Sequence, residues 1–473
     1  MKRIVLTLLL GTALAGCSMD PKLAMPAAPV PPSWPVGDAY LKANEAALPT
    51  VTYQDIFKDP RLQKLIEQAL ANNRDLRIAA ANIAAARAQY RIQRADRLPG
   101  LDAGVGATVS KAEGDNRQTS FSGNLSIPAF ELDLFGRVAS LTRAEQNNWF
   151  ATEAAARATR LALIGDIAEA WLNHAADTSL LKIAQDTAGN AERAVALTDR
   201  RLQGGIAPRT DLAQAQQVLA SAQSDVAAQK TAVAQDINAL RLLVGAEIDP
   251  ALLSPAIEEA APTVTELPAG VDSGVLLRRP DVVQAEYQLR AANAEIGAAR
   301  AALFPRISLT GLLGFASNAL TGLFSGNGFH WSGGASGSYS IFNAGAGRAG
   351  VQLSEAQRDA ALAGYEKSIQ TAFREVADAL ARRGTIEDQL KADTTNLAAA
   401  QDNYRLAEAR YRGGIDNFLA SLVAQRSYYS AQRGLVNTRL IEATNLVTLY
   451  RTLGGDSLLT ETPSGPQAVT PAP

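Results

Sequence analysis

Two hydrophobic periodicities alternate along the chain and predict long helices interrupted by two pairs of strands. Residues 101–110 alternate between apolar side chains and polar residues or glycine, and residues 120–132 continue this two-residue period. The same alternation returns at 306–316 and 330–342. Elsewhere the period is helical, and the proline-free stretch 137–204 would form a helix roughly 100 Å long at about 1.5 Å per residue. The pattern predicts a mainly α protein with four strands that each have one apolar face.

Two predicted helix–turn–helix junctions repeat each other 209 positions apart. Residues 410–425 share an arginine, two adjacent glycines, an isoleucine, an alanine and a glutamine with residues 201–216. Adjacent glycines favour chain reversal because they adopt backbone conformations that other residues avoid. The junctions therefore predict two helical hairpins that turn at 204–208 and 413–415, and the repeat predicts a duplicated chain. The turn glycines are Gly204, Gly205, Gly413 and Gly414.

The duplication divides the sequence into repeats and connecting segments. In chain order we predict a signal peptide, a proline-rich linker, a first repeat, a second linker, a second repeat and a disordered tail. Their ranges are 1–16, 17–40, 41–245, 246–275, 276–455 and 456–473.

The helix predicted after the first turn has an apolar residue at every seventh position. A strict seven-residue repeat predicts left-handed coiled-coil packing against a neighbouring helix. The repeat consists of Leu212, Leu219, Val226, Val233 and Leu240.

Composition excludes several kinds of function. The formal net charge of -2 gives no electrostatic attraction for nucleic acid. Two histidines and one cysteine are too few for a cysteine and histidine metal cluster, and we expect no metal, cofactor or catalytic residue. Aromatic residues make up 6% of the chain whereas alanine dominates segments such as 78–88, which favours helices packed closely through small side chains.

The N-terminus resembles a bacterial lipoprotein signal. Lys2 and Arg3 precede an apolar stretch at 4–14, and residues 14–17 look like the cleavage box of such a signal. This resemblance implies that Cys17 becomes a lipidated N-terminal residue. Ser18 follows where lipoproteins kept in the inner membrane tend to carry Asp, so we expect sorting to the outer membrane. A secretory signal with an incidental cysteine is the alternative.

Four strands with one apolar face cannot stand alone in lipid. Open edges would leave backbone groups unsatisfied at several kcal/mol each, and the smallest membrane barrels have about eight strands. Two chains would supply about eight strands and a side-chain-filled interior, whereas three would supply about twelve and begin to leave a lumen. The small, polar inner face favours three. A soluble sandwich with buried apolar faces is the alternative.

Several motifs together resemble the outer-membrane efflux family of TolC-like channels, and within it the lipoprotein branch that serves RND-type drug pumps. The resemblance covers nearly all of the chain after the signal. It implies a trimer whose 12-stranded β-barrel lies in the outer membrane and continues into a 12-helix α-barrel across the periplasm, with the linker and terminal segments forming an equatorial belt. The motifs are 130–137, 277–281, 304–305 with 307–309, 341–343 leading to Gly345, and 410–414.

The resemblance also implies a passive channel that is not an enzyme. A proton-driven inner-membrane RND transporter would supply the energy, and a periplasmic membrane-fusion adaptor would bridge it to the tips of the helical hairpins. Drugs or other small toxic compounds are the implied substrates. The outer-membrane conduit of a type I protein-secretion system is the alternative within this architecture, and a periplasmic coiled-coil scaffold tethered by Cys17 is the alternative of another class.

Charged residues at the turns are candidates for a periplasmic gate. In the family, links between neighbouring hairpins hold this end closed, and Asp211 and Tyr411 align with lock positions. Arg209, Arg412 and Asp416 are neighbours able to form pairs. Exposed single pairs would contribute about 0 to 1 kcal/mol each, which suits a latch that an adaptor releases.

The segment after the second turn departs from the family. Where many relatives carry Asp and form an acidic ring at the constriction, this chain has Ala420 and Val423. We expect an apolar constriction that can dewet rather than a cation-binding ring.

Two short motifs suggest chemistry that their context does not favour. Residues 345–350 fit the glycine pattern of dinucleotide-binding folds, but they follow an antiparallel hairpin and precede a helix far longer than a crossover helix. Residues 455–458 spell the nucleophile block of GDSL hydrolases, but neither His174 nor His330 lies downstream to act as a base.

Overall fold

The computed structural model describes residues 19–31, 33–35, 52–111, 117–264, 273–323 and 328–469. The predicted signal peptide and Cys17 lie outside the described residues, as does part of the predicted linker 17–40. Within the described segments, none of the helices is both long enough and apolar enough to cross a membrane.

The long helices and the four strands of the large sheet follow the order that the periodicities predict. The helices are α1 (Tyr53–Ile56), α2 (Pro60–Asn72), α3 (Arg74–Ala95), α4 (Arg137–Gln203), α5 (Arg209–Val244), α6 (Ile257–Ala260), α7 (Pro280–Ala301), α8 (Ala346–Arg412) and α9 (Phe418–Thr452). The strands are β1 (Asp102–Ser110), β2 (Gln118–Glu131), β3 (Arg306–Ser317), β4 (Phe329–Ser338), β5 (Leu459–Thr460) and β6 (Gln467–Ala468).

The chain divides into two compact units. The first comprises Met1–Ala27, Ala81–Glu153 and Gln284–Lys367, and it holds the large sheet. The second comprises Ala28–Ala80, Ala154–Val283 and Ser368–Pro473, and it holds both helical turns.

The sheet of the first unit is antiparallel, with the strand order β1-β2-β3-β4. Its register shifts between Ile127 and Phe130, where β2 contains Pro128. Proline has no N–H to donate, so it is tolerated within a strand where the ladder is already interrupted. Strands β1 and β4 form the two edges, and neither edge is paired with another described strand.

Apolar side chains from neighbouring strands form continuous rows on one face of this sheet. In one row Val105 lies opposite Gly123, which lies opposite Phe315, which lies opposite Phe329. Val105 is 93% exposed in the single chain. The opposite face carries small and polar residues, including Gly104, Asn124, Ser122, Thr108 and Thr310.

Strand β4 ends at Ser338, so the prediction that it continues to residue 342 is wrong. Ser338 pairs with Arg306, the first residue of β3. The residue before Arg306 is Pro305, which cannot donate a ladder hydrogen bond. Residues beyond Ser338 therefore have no strand partner at this end of the sheet.

Asn73 separates α2 from α3. The side-chain oxygen of Asn73 accepts hydrogen bonds from the N–H groups of Asp75 and Leu76, at 2.7 and 3.1 Å, and so caps α3. Its amide group donates to the carbonyl of Leu243 at 2.7 Å. The break is fixed by a contact with α5 that no local pattern reveals.

The second unit has a large helical core. Trp171 of α4 is fully buried and donates its indole N–H to the carbonyl oxygen of Leu252 at 2.9 Å. The rings of Phe57 and Tyr450 meet edge to face, with 5.5 Å between centroids. Trp171 and Tyr450 each combine a large buried apolar area with a polar atom that forms a hydrogen bond.

A polar group lies between α4 and α5 in the same unit. Burial, followed by the nearby carboxylate of Asp177, raises the pKa of Asp236 to about 7. Burial also lowers the pKa of His174, which is 5% exposed and lies one turn before Asp177. The helix pair therefore contains a carboxyl group that changes charge near neutral pH.

The described part of the tail is ordered, so its predicted disorder is wrong for residues 456–469. The carboxylate of Asp456 binds the guanidinium of Arg160 through two contacts of 2.7 and 2.9 Å. Strands β5 and β6 then pair, and Leu459 is fully buried. The prediction followed the proline-containing composition of the tail and missed this ion pair across 296 positions of the chain.

Candidate functional site at the helical turns

The two turns have the same backbone geometry. In the first, Gly205 donates to the carbonyl of Leu202 at 2.9 Å, and Ile206 donates to that of Arg201 at 2.8 Å. In the second, Gly414 donates to Tyr411 at 3.0 Å and Ile415 to Arg410 at 2.9 Å. This is the Schellman pattern, which needs a left-handed residue after the helix. Gly205 and Gly414 supply it with φ of 70° and 74°.

The first residues of the returning helices differ between the two turns. Asn417 caps α9, because its side-chain oxygen accepts a hydrogen bond from the N–H of Ala420 at 3.1 Å. Pro208 occupies the corresponding position before α5 and makes no side-chain cap. The apical residues Ile206 and Ile415 are both exposed.

Tyr411 lies in a small apolar cluster rather than at the surface. It is 5% exposed, and its ring centroid is 5.3 Å from that of Phe418. Ala215 of α5 and Leu422 of α9 complete the buried set. The Tyr411 hydroxyl has no hydrogen-bond partner among the described residues. A buried hydroxyl without a partner is costly, so a hydrogen-bond acceptor from outside the described part of this chain would stabilise it.

Asp211 does not bond to Tyr411 within the chain. It lies in the first turn of α5, and its backbone N–H donates to the carbonyl of Pro208 at 3.1 Å. Ala215, which contacts the Tyr411 cluster, is one helical turn further on the same face. Asp211 therefore lies one turn from a residue of the Tyr411 cluster, but the hydrogen bond between Asp211 and Tyr411 is not formed within the protomer. The predicted latch stays a prediction.

Arg201 connects the two turns, and sequence reasoning did not single it out. Its guanidinium carbon lies 4.6 Å from the ring centroid of Tyr411. Its Nη2 donates to the carbonyl of Arg412 at 3.3 Å. The first contact is a cation–π interaction, and the second places positive charge at the carbonyl end of α8.

The other charged candidates pair locally. Asp416 binds Arg410 through contacts of 2.6 and 3.0 Å, and this hydrogen bonding lowers the pKa of Asp416 and raises that of Arg410. Arg412 binds Glu408 at 2.6 Å, one turn earlier on the same helix. Arg209 is exposed and has no ion-pair partner among the residues described. The protomer thus does not pair Arg209, Arg412 and Asp416 with one another.

The two constriction candidates lie on the exposed side of α9. Ala420 is exposed, and Val423 is 55% exposed in the single chain. Leu419, one turn before Val423, is 52% exposed, whereas Phe418 and Leu422 are buried on the other side of the helix. The exposed start of α9 is therefore apolar, as the sequence predicts, and its place at a constriction stays a prediction.

A second link joins the two helical hairpins four to five turns beyond the tips. The Tyr429 hydroxyl of α9 donates to the carboxylate of Asp225 of α5 at 2.9 Å. Burial, followed by this hydrogen bond, raises the pKa of Tyr429 to about 12. The Arg433 guanidinium lies 5.5 Å from the Tyr429 ring centroid. The heptad analysis missed the pair because both residues lie outside the apolar repeat.

The GDSL motif has a structural position. Ser457 is 1% exposed, and its hydroxyl lies 3.4 Å from both Asp456 and Arg160. Gly454 and Gly455 have positive φ, which suits the tight turn that brings Asp456 to Arg160. The serine is buried beside the ion pair between Asp456 and Arg160.

The fold and turns define a duplicated subunit with paired helical hairpins and a sheet that has an exposed apolar face and whose two edges pair with no other described strand. The chain belongs to the outer membrane efflux protein family, whose model matches residues 65–246 and 273–455. It is 44% identical over 451 residues to the probable efflux pump outer membrane protein TtgC of Pseudomonas putida, covering 93% of each chain. It is 40% identical over 459 residues to the outer membrane protein OprJ of Pseudomonas aeruginosa, covering 95% of each.

Solved structures give the same result for the fold. A membrane protein from Pseudomonas aeruginosa superposes with a TM-score of 0.84 at 39% identity, covering 93% of this chain and 100% of that one. The open state of the Neisseria gonorrhoeae MtrE outer membrane channel gives a TM-score of 0.83 at 34% identity, covering 93% and 98%. The predicted resemblance and the predicted fold class are therefore confirmed.

Proposed function

We propose that this chain is the outer-membrane channel subunit of a tripartite efflux system and exports small toxic compounds passively. Family membership, shown by a match over residues 65–246 and 273–455, carries this proposal. Relatives with 40 to 44% identity are named as antibiotic, toluene or solvent efflux pump outer membrane proteins. Lipophilic compounds of this kind are therefore the proposed substrates, and no catalytic step is proposed.

The sheet supports assembly as a homotrimer. Its edge strands β1 and β4 pair with no other strand among the described residues, and their backbone groups would need partners in lipid. Pairing β4 of one copy with β1 of the next would close about twelve strands from three copies. The apolar rows containing Val105 and Trp331 would then face outer-membrane lipid, and the Ser, Gly and Asn face would line the lumen.

The helical turns are the proposed periplasmic end. The exposed apical residues Ile206 and Ile415 would meet a periplasmic membrane-fusion adaptor, which would connect the channel to an inner-membrane RND transporter. Lipidation of Cys17 would add an anchor in the outer membrane. These partners and this location follow from the family.

The proposed gate consists of the two turns and the residues around Tyr411. Tyr411 would bond to Asp211 across neighbouring hairpins in the assembled channel, because its hydroxyl is buried and no residue in the described part of the protomer bonds to it. Arg209, Arg412 and Asp416 would surround this bond. Ala420 and Val423 would narrow the pore without carboxylates.

Paired lysine substitutions in β1 test the proposal. Val105→Lys places a charge on the proposed lipid face, at a cost of about 2 to 4 kcal/mol near the bilayer midplane. Thr108→Lys places the same charge on the opposite, proposed lumenal face and serves as the matched control. We expect the first to prevent trimer insertion and bilayer conductance, and the second to retain both with altered ion selectivity.

The same variants can be assayed for export. The host strain has an RND pump and adaptor that work with a channel of this family, but it lacks the outer-membrane channel itself. The wild-type chain and Thr108→Lys should restore resistance to toluene or antibiotics in this strain, whereas Val105→Lys should not. A wild-type chain that neither conducts nor restores resistance would contradict the proposal. Equal behaviour of the two variants would contradict the assigned faces of the sheet.

A further inference from the structure

The residues that follow Cys17 are held against two helices of the first unit. The carboxylate of Asp20 accepts a hydrogen bond from Ser140 Oγ at 2.6 Å and from Arg143 Nε at 2.7 Å. The Asp20 and Arg143 side chains are 17% and 39% exposed, and Ser140 is fully buried. Arg143 Nη2 also donates to Ser140 Oγ at 3.0 Å. Asp20 thus forms one connected hydrogen-bonded set with two side chains of α4.

Helix α7 supplies the other side of this contact. Asn293 Nδ2 donates to the carbonyl oxygen of Pro21 at 2.9 Å. One turn later, a Cβ added to Gly297 would collide with the Asp20 carboxylate and lie 2.9 Å from the Asp20 backbone nitrogen. A side chain at position 297 would therefore displace both the backbone and the carboxylate of Asp20. Glycine at this position permits the close approach of the segment.

We propose that Ser140, Arg143, Asn293 and Gly297 form a binding site, here termed the Asp20 seat, that positions the lipid anchor of the chain. The occupant is the N-terminal lipopeptide of the same chain, so the proposal rests on the lipidation proposed above. Cys17 precedes Asp20 by three positions. Three residues span at most about 11 Å, so a seated Asp20 confines the lipid-bearing residue to that distance.

The location of the seat supports this role. Ser140 and Arg143 lie in the first two turns of α4, which begins at Arg137, shortly after β2 ends at Glu131. A lipid on Cys17 of a chain whose Asp20 is bound in the seat would therefore enter the bilayer beside the sheet of its own protomer. If residues up to 27 were released, the same lipid could range over roughly 35 Å. Binding of Asp20 in the seat thus shortens the distance over which the lipid can range.

Trypsin cleavage after Lys22 measures whether the segment is seated. Lys22 is exposed, yet a protease needs several neighbouring residues released from their contacts before it can cut. Purified full-length trimer in detergent is digested over time, and the cut is read from the mass of the remaining chain, which then begins at Leu23. We expect Asp20→Ala and Gly297→Ala to raise the rate of this cleavage at least tenfold.

Gly350→Ala is the matched control, because Gly350 is also a helical glycine of the first unit and a Cβ there would meet no atom within 4 Å. Its cleavage rate should equal that of the wild type. Asp20→Asn keeps an acceptor for Ser140 but loses the charge that faces Arg143, so its rate should be intermediate. Size-exclusion chromatography checks that each variant remains a trimer.

The released peptide 17–22 separates the two hypotheses. If it carries lipid and all variants are cleaved at the wild-type rate, the Asp20 seat is refuted while lipidation stands. If it carries no lipid, the anchor itself is refuted, whatever the rates. Lipidated peptide released faster from Asp20→Ala and Gly297→Ala than from Gly350→Ala supports the seat.

Discussion

Replacing Tyr411 by phenylalanine removes only the side-chain hydroxyl. The variant therefore tests whether a hydrogen bond from this hydroxyl holds the gate closed. The Tyr411 hydroxyl is buried, and no described residue of the protomer bonds to it. If it remains unpaired in the trimer, removing it stabilises the closed end by about 1 to 3 kcal/mol, the cost of a buried unsatisfied group. If the hydroxyl donates a hydrogen bond to Asp211 of a neighbouring hairpin, removing it destabilises the closed end by about 1.5 to 3 kcal/mol.

The two cases differ in sign, so conductance can distinguish them. A loss of about 1.5 to 3 kcal/mol lowers the ratio of closed to open channels by roughly ten- to a hundredfold. We expect Tyr411→Phe to raise the open probability in planar bilayers, and Asp211→Ala to do the same. The double variant should open no more readily than either single variant, because both remove the same bond.

Tyr404→Phe is the matched control, since Tyr404 lies two turns earlier on α8 and stacks on Tyr428 with 5.8 Å between centroids. Its conductance should equal that of the wild type. Unchanged or reduced opening of Tyr411→Phe would refute the latch, and so would additive effects of the Tyr411 and Asp211 substitutions. In that case the cluster around Phe418 and Arg201 would be sufficient to hold the turn.

Three further substitutions test the second unit. The pKa of Asp236, about 7, lies above its unfolded value, so the contribution of this carboxyl group to stability is most favourable below about pH 4 and falls until about pH 7. Asp236→Asn should remove this contribution and, allowing for partial solvent exposure, stabilise the protein by about 1 to 2 kcal/mol at pH 8 in urea unfolding. The exposed Asp186→Asn should change little. Trp171→Phe should lower stability by about 2 to 4 kcal/mol in thermal unfolding followed by circular dichroism, because it removes a buried hydrogen bond and ring volume. Gly414→Ala should destabilise the second turn by about 1 to 2 kcal/mol, because φ is 74° there and alanine is strained in this conformation. Faster hydrogen exchange at the tip should detect the change. Gly434→Ala, where a Cβ would meet no atom within 4 Å, should leave the exchange rate at the tip unchanged.

Elements defined by a local pattern were predictable from the sequence, and those defined by distant contacts were not. The alternation that indicates β1 is complete within nine residues, and the proline-free run that indicates α4 needs no partner to be read. The break at Asn73 depends on Leu243, and the ordered tail depends on Arg160 binding Asp456. Both partners are more than a hundred positions away, so propensity and composition carried no signal for them.

The contacts of the candidate site also could not be predicted from local sequence patterns, and the internal repeat explains part of this failure. Arg201 and Arg410 are equivalent by the repeat of 209 positions, so the sequence suggests the same role for both. Their contacts differ because the position that holds Asp416 in the second turn holds Ala207 in the first. Arg410 therefore pairs within its own turn.

Arg201 has no carboxylate at the equivalent place, and its guanidinium instead reaches the ring of Tyr411 and the carbonyl of Arg412. The link between the hairpins thus arises from a difference between the two copies rather than from what they share. Divergence after duplication left the first turn with an arginine whose partners lie on the second turn. Displacing either turn would strain that contact, so we infer that movement of one hairpin tip is coupled to the other within each protomer.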